Sequence, residues 1–97
     1  MIHTGVSGIL CCAHHDGRRW HGHTYEVRAW WPADGTDAME RHEQLARVLK
    51  LYDHRGLGAN ESSGEQLAEL IGHKLDGCDE IEVSRPGERI FARWRRG

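Results

Sequence analysis

The chain has 97 residues, 38% of them apolar and 29% charged, with a formal net charge of −2. That length makes one domain, residues 1–97, with a limited core that a metal or oligomerisation would help to stabilise. The near-neutral balance gives no general electrostatic reason to expect nucleic acid or a membrane as partner, and the cluster Arg93, Arg95 and Arg96 reads as a solvated strand end.

Gly5 to Ala13 is small and apolar without helical spacing, which predicts a buried strand. Within it Cys11 and Cys12 point to opposite faces. With Cys78 they make an odd count without framework spacing, which predicts reduced thiols in a cytoplasmic protein. No stretch approaches transmembrane length, and the N-terminus lacks a basic-then-apolar signal pattern. Thr24 to Trp31 alternates Tyr25, Val27, Ala29 and Trp31 with Thr24, Glu26, Arg28 and Trp30, a strand with one apolar face. The two strands are expected to pair as an antiparallel hairpin.

Pro32 to Gly35 breaks the second strand. Asp37, with Glu40 three residues later, predicts a helix start, and Met39, Leu45, Val48 and Leu49 supply an apolar stripe to about Leu51. Asp53 to Gly58 reads as a loop. Ser62 or Ser63 caps a second helix, with Glu65 or Gln66 in the capping-box position; Leu67, Leu70, Ile71, Lys74 and Leu75 form its stripe and Gly77 ends it. Ile81–Ser84 and Arg89–Arg95, separated by the Pro86-Gly87 turn, read as a second hairpin. The expected fold is α+β: a four-stranded antiparallel sheet with both helices on one face. Trp30, Phe91 and Trp94 are large for a solvated sheet face, which points to oligomeric contact.

Three of the chain's eight histidines lie between His15 and His23. Residues i and i+2 of a strand share a face, so His21 and His23 project together, with Gly22 between them allowing close approach. His15 stands at the end of the partner strand, and alternation sets His14 aside. Three imidazole nitrogens with one open position suit a catalytic Zn²⁺, although Ni²⁺, Cu²⁺ or Fe²⁺ tolerates the same ligands. Asp53-His54 has the composition of a proton-transfer pair, in which a carboxylate fixes the imidazole's tautomer; a lone dipeptide of this kind fits a capping or surface role as well.

The succession Ala13-His14-His15, His21-Gly22-His23, Leu51-Tyr52-Asp53-His54-Arg55-Gly56-Leu57 and Ser62-Ser63-Gly64-Glu65-Gln66-Leu67-Ala68 resembles the 6-pyruvoyl-tetrahydropterin synthase / 6-carboxytetrahydropterin synthase family over nearly the whole chain. The resemblance implies the tunnelling fold, or T-fold. It also implies zinc on His15, His21 and His23, catalysis by Asp53 and His54, and trimeric barrels stacked into hexamers with active sites at subunit interfaces. The implied activity is that of a lyase acting on 7,8-dihydroneopterin triphosphate or a related pterin, in the bacterial branch for 7-deazaguanine (queuosine) synthesis. The alternative is a non-catalytic zinc-binding T-fold protein that holds a purine or pterin at a subunit interface.

The chain departs from the family pattern at two functional positions. The family's catalytic Cys precedes His-Gly-His, but here the loop is Asp16-Gly17-Arg18-Arg19-Trp20, and Asp16 is its only acid. The family's pterin-anchoring Glu is replaced by Arg85, which has no acceptor for an aminopyrimidine and suits a carboxylate or phosphate. Ser63, Glu65 and Arg85 are the candidate substrate-binding residues.

Overall fold

The computed structural model describes residues 1–15, 18–58 and 63–97, His15 by its backbone alone. The elements are β1 (His3–His15), β2 (Trp20–Pro32), α1 (Ala38–Leu49), β3 (Gly56–Leu57), α2 (Gly64–Lys74), β4 (Glu80–Arg85), a 3₁₀ turn (Pro86–Glu88) and β5 (Ile90–Arg95). The sheet order is β3-β1-β2-β4-β5. This is the expected α+β architecture with one added strand. The stretch read as a loop contains β3, a two-residue strand parallel to β1 through the pairs Ala13–Gly56 and His14–Leu57. The sheet is therefore mixed and five-stranded rather than antiparallel and four-stranded.

Strands β1 and β2 are 13 residues each, longer at both ends than their apolar cores suggest. At about 3.3 Å per residue each spans roughly 43 Å, which accounts for most of the molecule's 47 Å length. Residues opposite one another in an antiparallel pair share a face. The register Gly8–Val27, Leu10–Tyr25, Cys12–His23 and His14–His21 therefore lays out one continuous face. Its apolar part is covered by the helices. Leu45, Val48 and Leu49 of α1 and Leu67, Ala68 and Ile71 of α2 join Leu10, Tyr25, Val27, Ala29, Trp31, Ile81 and Val83 in the buried core. Trp31 is fully buried, its indole donates to the Asp76 carbonyl at 3.0 Å, and Arg41 lies 4.9 Å over its ring.

Both helices start where side chains can satisfy their first N–H groups. The Asp37 carboxylate accepts from Met39 N at 2.7 Å. Of the two serine candidates Ser63 is the cap: its hydroxyl accepts from Gln66 N, and Gln66 Oε1 accepts from Ser63 N, both at 3.1 Å. Met39 is not part of the core stripe; it is exposed in the first turn of α1. Trp94 also departs from expectation. It lies on the helix side against the core, at a place where α2 carries Gly72 and any Cβ would collide with its ring. Arg96 stacks 5.3 Å from its centroid. Phe91 does remain on the open face, with Ile9 in the same cross-sheet row. The same face carries Trp30, half-buried over Gly5, and a ladder of ion pairs, Arg28 with Glu26 and Glu82 and Arg93 with Glu80 and Glu82. No helix among the described residues is long and apolar enough to cross a membrane.

Candidate active site

The face that is apolar under the helices becomes polar toward the β1–β2 turn. His23 follows Tyr25, their ring centroids 5.9 Å apart, and His21 and His14 come next. All three histidines are half-buried. Nε2 of His14 lies 2.9 Å from Nε2 of His23, with the rings edge-on at 4.5 Å. The His21 ring stands 6.1 Å from that of His14 and 6.4 Å from that of His23.

The histidine that joins His21 and His23 is thus His14, the one set aside by alternation from His15. The backbone register puts His14 opposite His21 and His15 opposite Trp20. A parity signal was available in the sequence: Leu10, Cys12 and His14 continue one face of β1 just as Tyr25, His23 and His21 continue one face of β2. By backbone register His14, not His15, occupies the strand position on the face of His21 and His23.

The donor chemistry of these side chains fits a zinc ion: three imidazoles on one face can each present a neutral nitrogen and leave a fourth position open. The 2.9 Å contact between His14 and His23 is a direct hydrogen bond, shorter than the roughly 3.3 Å between two nitrogens on one tetrahedral zinc with Zn–N near 2.05 Å. Among the described residues no group of three His, Cys, Asp or Glu side chains already has metal-holding geometry. His23 is held below the usual histidine range, first by burial and then by the positive charge of Arg85, so its neutral form is favoured.

Cys12 lies opposite His23 and two residues before His14. Burial, with Cys11 and Asp53 nearby, pushes its thiol up to about 11, so it is protonated at neutral pH. The Cys11 side chain is on the other face, its sulfur 3.7 Å from the Thr24 hydroxyl. Asp16, the acid considered for that role, lies outside the described residues, as does Ser62.

Asp53 and His54 form a bonded pair on the adjoining sheet edge. Asp53 Oδ1 accepts from Cys11 N at 2.8 Å, and its Oδ2 lies 2.8 Å from His54 Nδ1. The Cys11 N–H is the main reason the Asp53 carboxyl sits below its ordinary range. An ionised carboxylate only accepts, so Nδ1 of His54 carries the proton and Nε2 holds the lone pair in the neutral ring. His54 has a left-handed backbone, φ 55°, a conformation that costs an L-residue roughly 1–3 kcal/mol and recurs at functional sites. Its side chain is 80% exposed. The pair is anchored to β1 three residues from His14, about 10 Å along the strand. It borders a shallow cavity of about 340 Å³ lined by Cys11, Cys12, Ala13, Arg55 and Gly56 as well as His54. A larger cavity of about 450 Å³, lined by His3, Trp30, Asp79, Glu80, Arg95 and Arg96, lies at the opposite end of β2.

The expected substrate-binding residues separate. Ser63 uses its hydroxyl as the α2 cap, and Glu65 is exposed in the first turn of that helix. Arg85 is on the histidine side: one step past the Val27–Val83 row, it continues the row begun by Leu10 and Tyr25. Its Nη2 donates to Glu88 Oε1 at 2.9 Å, while its Nε is buried without a partner among the described residues. Glu88 went unnoticed in the sequence because only the 3₁₀ turn after Pro86 folds it back onto Arg85.

No protein-family model matches the sequence. The structure of 6-pyruvoyl tetrahydropterin synthase from Caenorhabditis elegans superposes with a TM-score of 0.79 at 14% identity, covering 99% of this chain and 96% of that one. This chain has the T-fold. A catalytic-residue mutant of the 6-pyruvoyltetrahydropterin synthase from Plasmodium vivax, with glutamate changed to cysteine, matches at a TM-score of 0.69 and 18% identity over 98% of both chains. In sequence, the chain is 36% identical over 58 residues to the histidine–tRNA ligase of Roseobacter denitrificans. That match takes in 60% of this chain, which spans about a tenth of the ligase's length.

Proposed function

We propose that the chain is the subunit of a zinc-dependent, pterin-processing lyase. Its substrate is 7,8-dihydroneopterin triphosphate or a related pterin, and the reaction is of the 6-carboxytetrahydropterin synthase kind used in 7-deazaguanine (queuosine) synthesis. One observation carries the reading: His14, His21 and His23 share one face of a T-fold strand pair, and the hydrogen-bonded Asp53–His54 pair is fixed to the same strand. Zinc held by the three histidines would polarise a substrate oxygen and stabilise negative charge developing on it.

His54 is the proton-transfer group. Asp53 fixes its tautomer and orientation, and the Cys11 amide fixes Asp53. Asp16 stands in the sequence stretch where the resembled family carries its Cys, and an acid in that role has a parallel in the Plasmodium protein, whose named catalytic residue is a glutamate. The subunits form homo-oligomers, trimer-based barrels paired as hexamers. The exposure of His54 at a sheet edge and of Ile9, Ile90 and Phe91 supports such cover. Three free cysteines fit a reducing, cytoplasmic setting.

A second reading, a non-catalytic zinc-binding T-fold protein that holds a purine or pterin, is favoured by Arg85 at the anchor position and by the Cys-free loop. Incubation of the zinc-loaded protein with 7,8-dihydroneopterin triphosphate separates the two. The lyase reading expects a new pterin by mass spectrometry and a fall of about 100-fold or more in turnover for His54→Ala. Ligand binding without product supports the second reading.

A further inference from the structure

Among the described residues, Arg85 has the one buried side-chain donor left without a hydrogen-bond partner. Its guanidinium is half-fixed: Glu88, returned by the Pro86–Glu88 turn, takes Nη2 and leaves Nε without an acceptor. The Nε–H and the adjacent Nη2–H of an arginine point the same way and match two oxygens of one carboxylate or phosphate. Glu88 engages half of that fork from a side chain that is 51% exposed, whereas Arg85 is 27% exposed. An exposed intramolecular ion pair is weak and easily exchanged. A buried charged donor left single, by contrast, is costly and calls for a partner. Across the sheet Arg85 continues the Leu10–Tyr25 row, and the next row toward the turn holds His23. An anion on the fork is therefore placed beside the three histidines.

We propose that Arg85 is an anion-recognition residue of the histidine site: a carboxylate or phosphate of the ligand accepts from its Nε–H and Nη2–H, and Glu88 is the internal stand-in that this anion displaces. The inference rests on the reading above only in taking the histidine face as a ligand site. It makes the group read at this position an anion, opposite in hydrogen-bonding sense to an aminopyrimidine edge.

Calorimetric titration of the protein as purified tests this. The probes are ring-free anions (inorganic pyrophosphate, benzoate) and matched pairs: 7,8-dihydroneopterin with and without its triphosphate, and pterin with and without a 6-carboxylate. The charged member of at least one pair binds about tenfold or more tighter, Arg85→Gln removes the preference, and Glu88→Gln strengthens it severalfold by removing the competitor. The pair that depends more on Arg85 identifies phosphate or carboxylate as the source. Equal binding of charged and uncharged members, absence of any binding, a preference that survives Arg85→Gln, or weaker anion binding by Glu88→Gln overturns the proposal. If Arg85→Gln is unfolded by circular dichroism, Arg85→Lys decides. It keeps the charge without the fork, so retention of the full preference also overturns the proposal. Arg85-dependent binding of pyrophosphate or benzoate without pterin turnover sinks the pterin reading and sustains this one; pterin turnover indifferent to Arg85 does the reverse.

Discussion

The two ends of the β1–β2 ribbon use one face in opposite ways. At one end the helix-side residues are Trp31, Ala29 and Val27, sealed under α1 and α2; at the other they are His23, His21 and His14, half-buried. The alternation does not change between them: every second residue of β2 from Trp31 back to His21 belongs to the same face. What changes is the cover. Where the leucines of two helices, with Val48 and Ile71, lie over the strand pair, the face excludes water and its residues serve stability. Where the face is only half-buried, it holds the imidazoles of His14, His21 and His23. Tyr25 and Arg85 mark the boundary row.

The contrast can be broken at either end. The largest effect is expected from Leu10→Ala under the helices: a fully buried side chain whose truncation costs about 2–5 kcal/mol. Urea denaturation should show that loss, while the zinc affinity of the folded fraction stays that of the wild type. At the histidine end, His14→Ala should weaken zinc binding by at least about 100-fold, because even partners outside the ligand sphere are worth 10–100-fold. His15→Ala should leave zinc unchanged. Metal analysis after dialysis distinguishes them, and the opposite pattern would return the ligand role to His15.

Smaller effects sharpen the same division. Ser63→Ala removes the cap of α2 and should cost about 1 kcal/mol in thermal or urea unfolding. Loss of substrate affinity beyond that shift would give Ser63 a binding role as well. Asp53 tests the edge beside β1 through pH. Its carboxyl is depressed in the folded state, so the bonds from Cys11 N and His54 contribute stability above its ordinary value of 3.8. That contribution is lost as pH falls through the lowered folded value. The stability gap between the wild type and Asp53→Asn should be constant above about pH 5 and close below about pH 4. A gap that closes near neutrality would show that another group dominates.

Much of this arrangement was legible in the chain. The alternation of Tyr25, Val27, Ala29 and Trp31, the stripes of Leu45, Val48 and Leu49 and of Leu67 and Ile71, and the caps at Asp37 and Ser63 follow from backbone periodicity and unsatisfied helix ends. These are local causes. His-Gly-His fixed two metal-ligand candidates on one face by the same rule, and Asp53 beside His54 made their hydrogen bond possible without any distant contact. Which third histidine shares that face depends on pairing across the hairpin. Choosing between His14 and His15 requires the register of two strands, and a shift of one residue reverses every side chain's face. β3 was missed for a related reason: two residues carry no period, and only the open edge of β1 makes Gly56 and Leu57 a strand. Trp94 and Arg85 were decided later still. Gly72 opened a place for the indole on α2, and a turn brought Glu88 back to half of a guanidinium. Periodicity, being local, was determined by the sequence alone. Which faces were covered, which histidine joined the site and which donor lacked a partner depended on segments distant along the chain, and so were settled only when the tertiary structure brought them together.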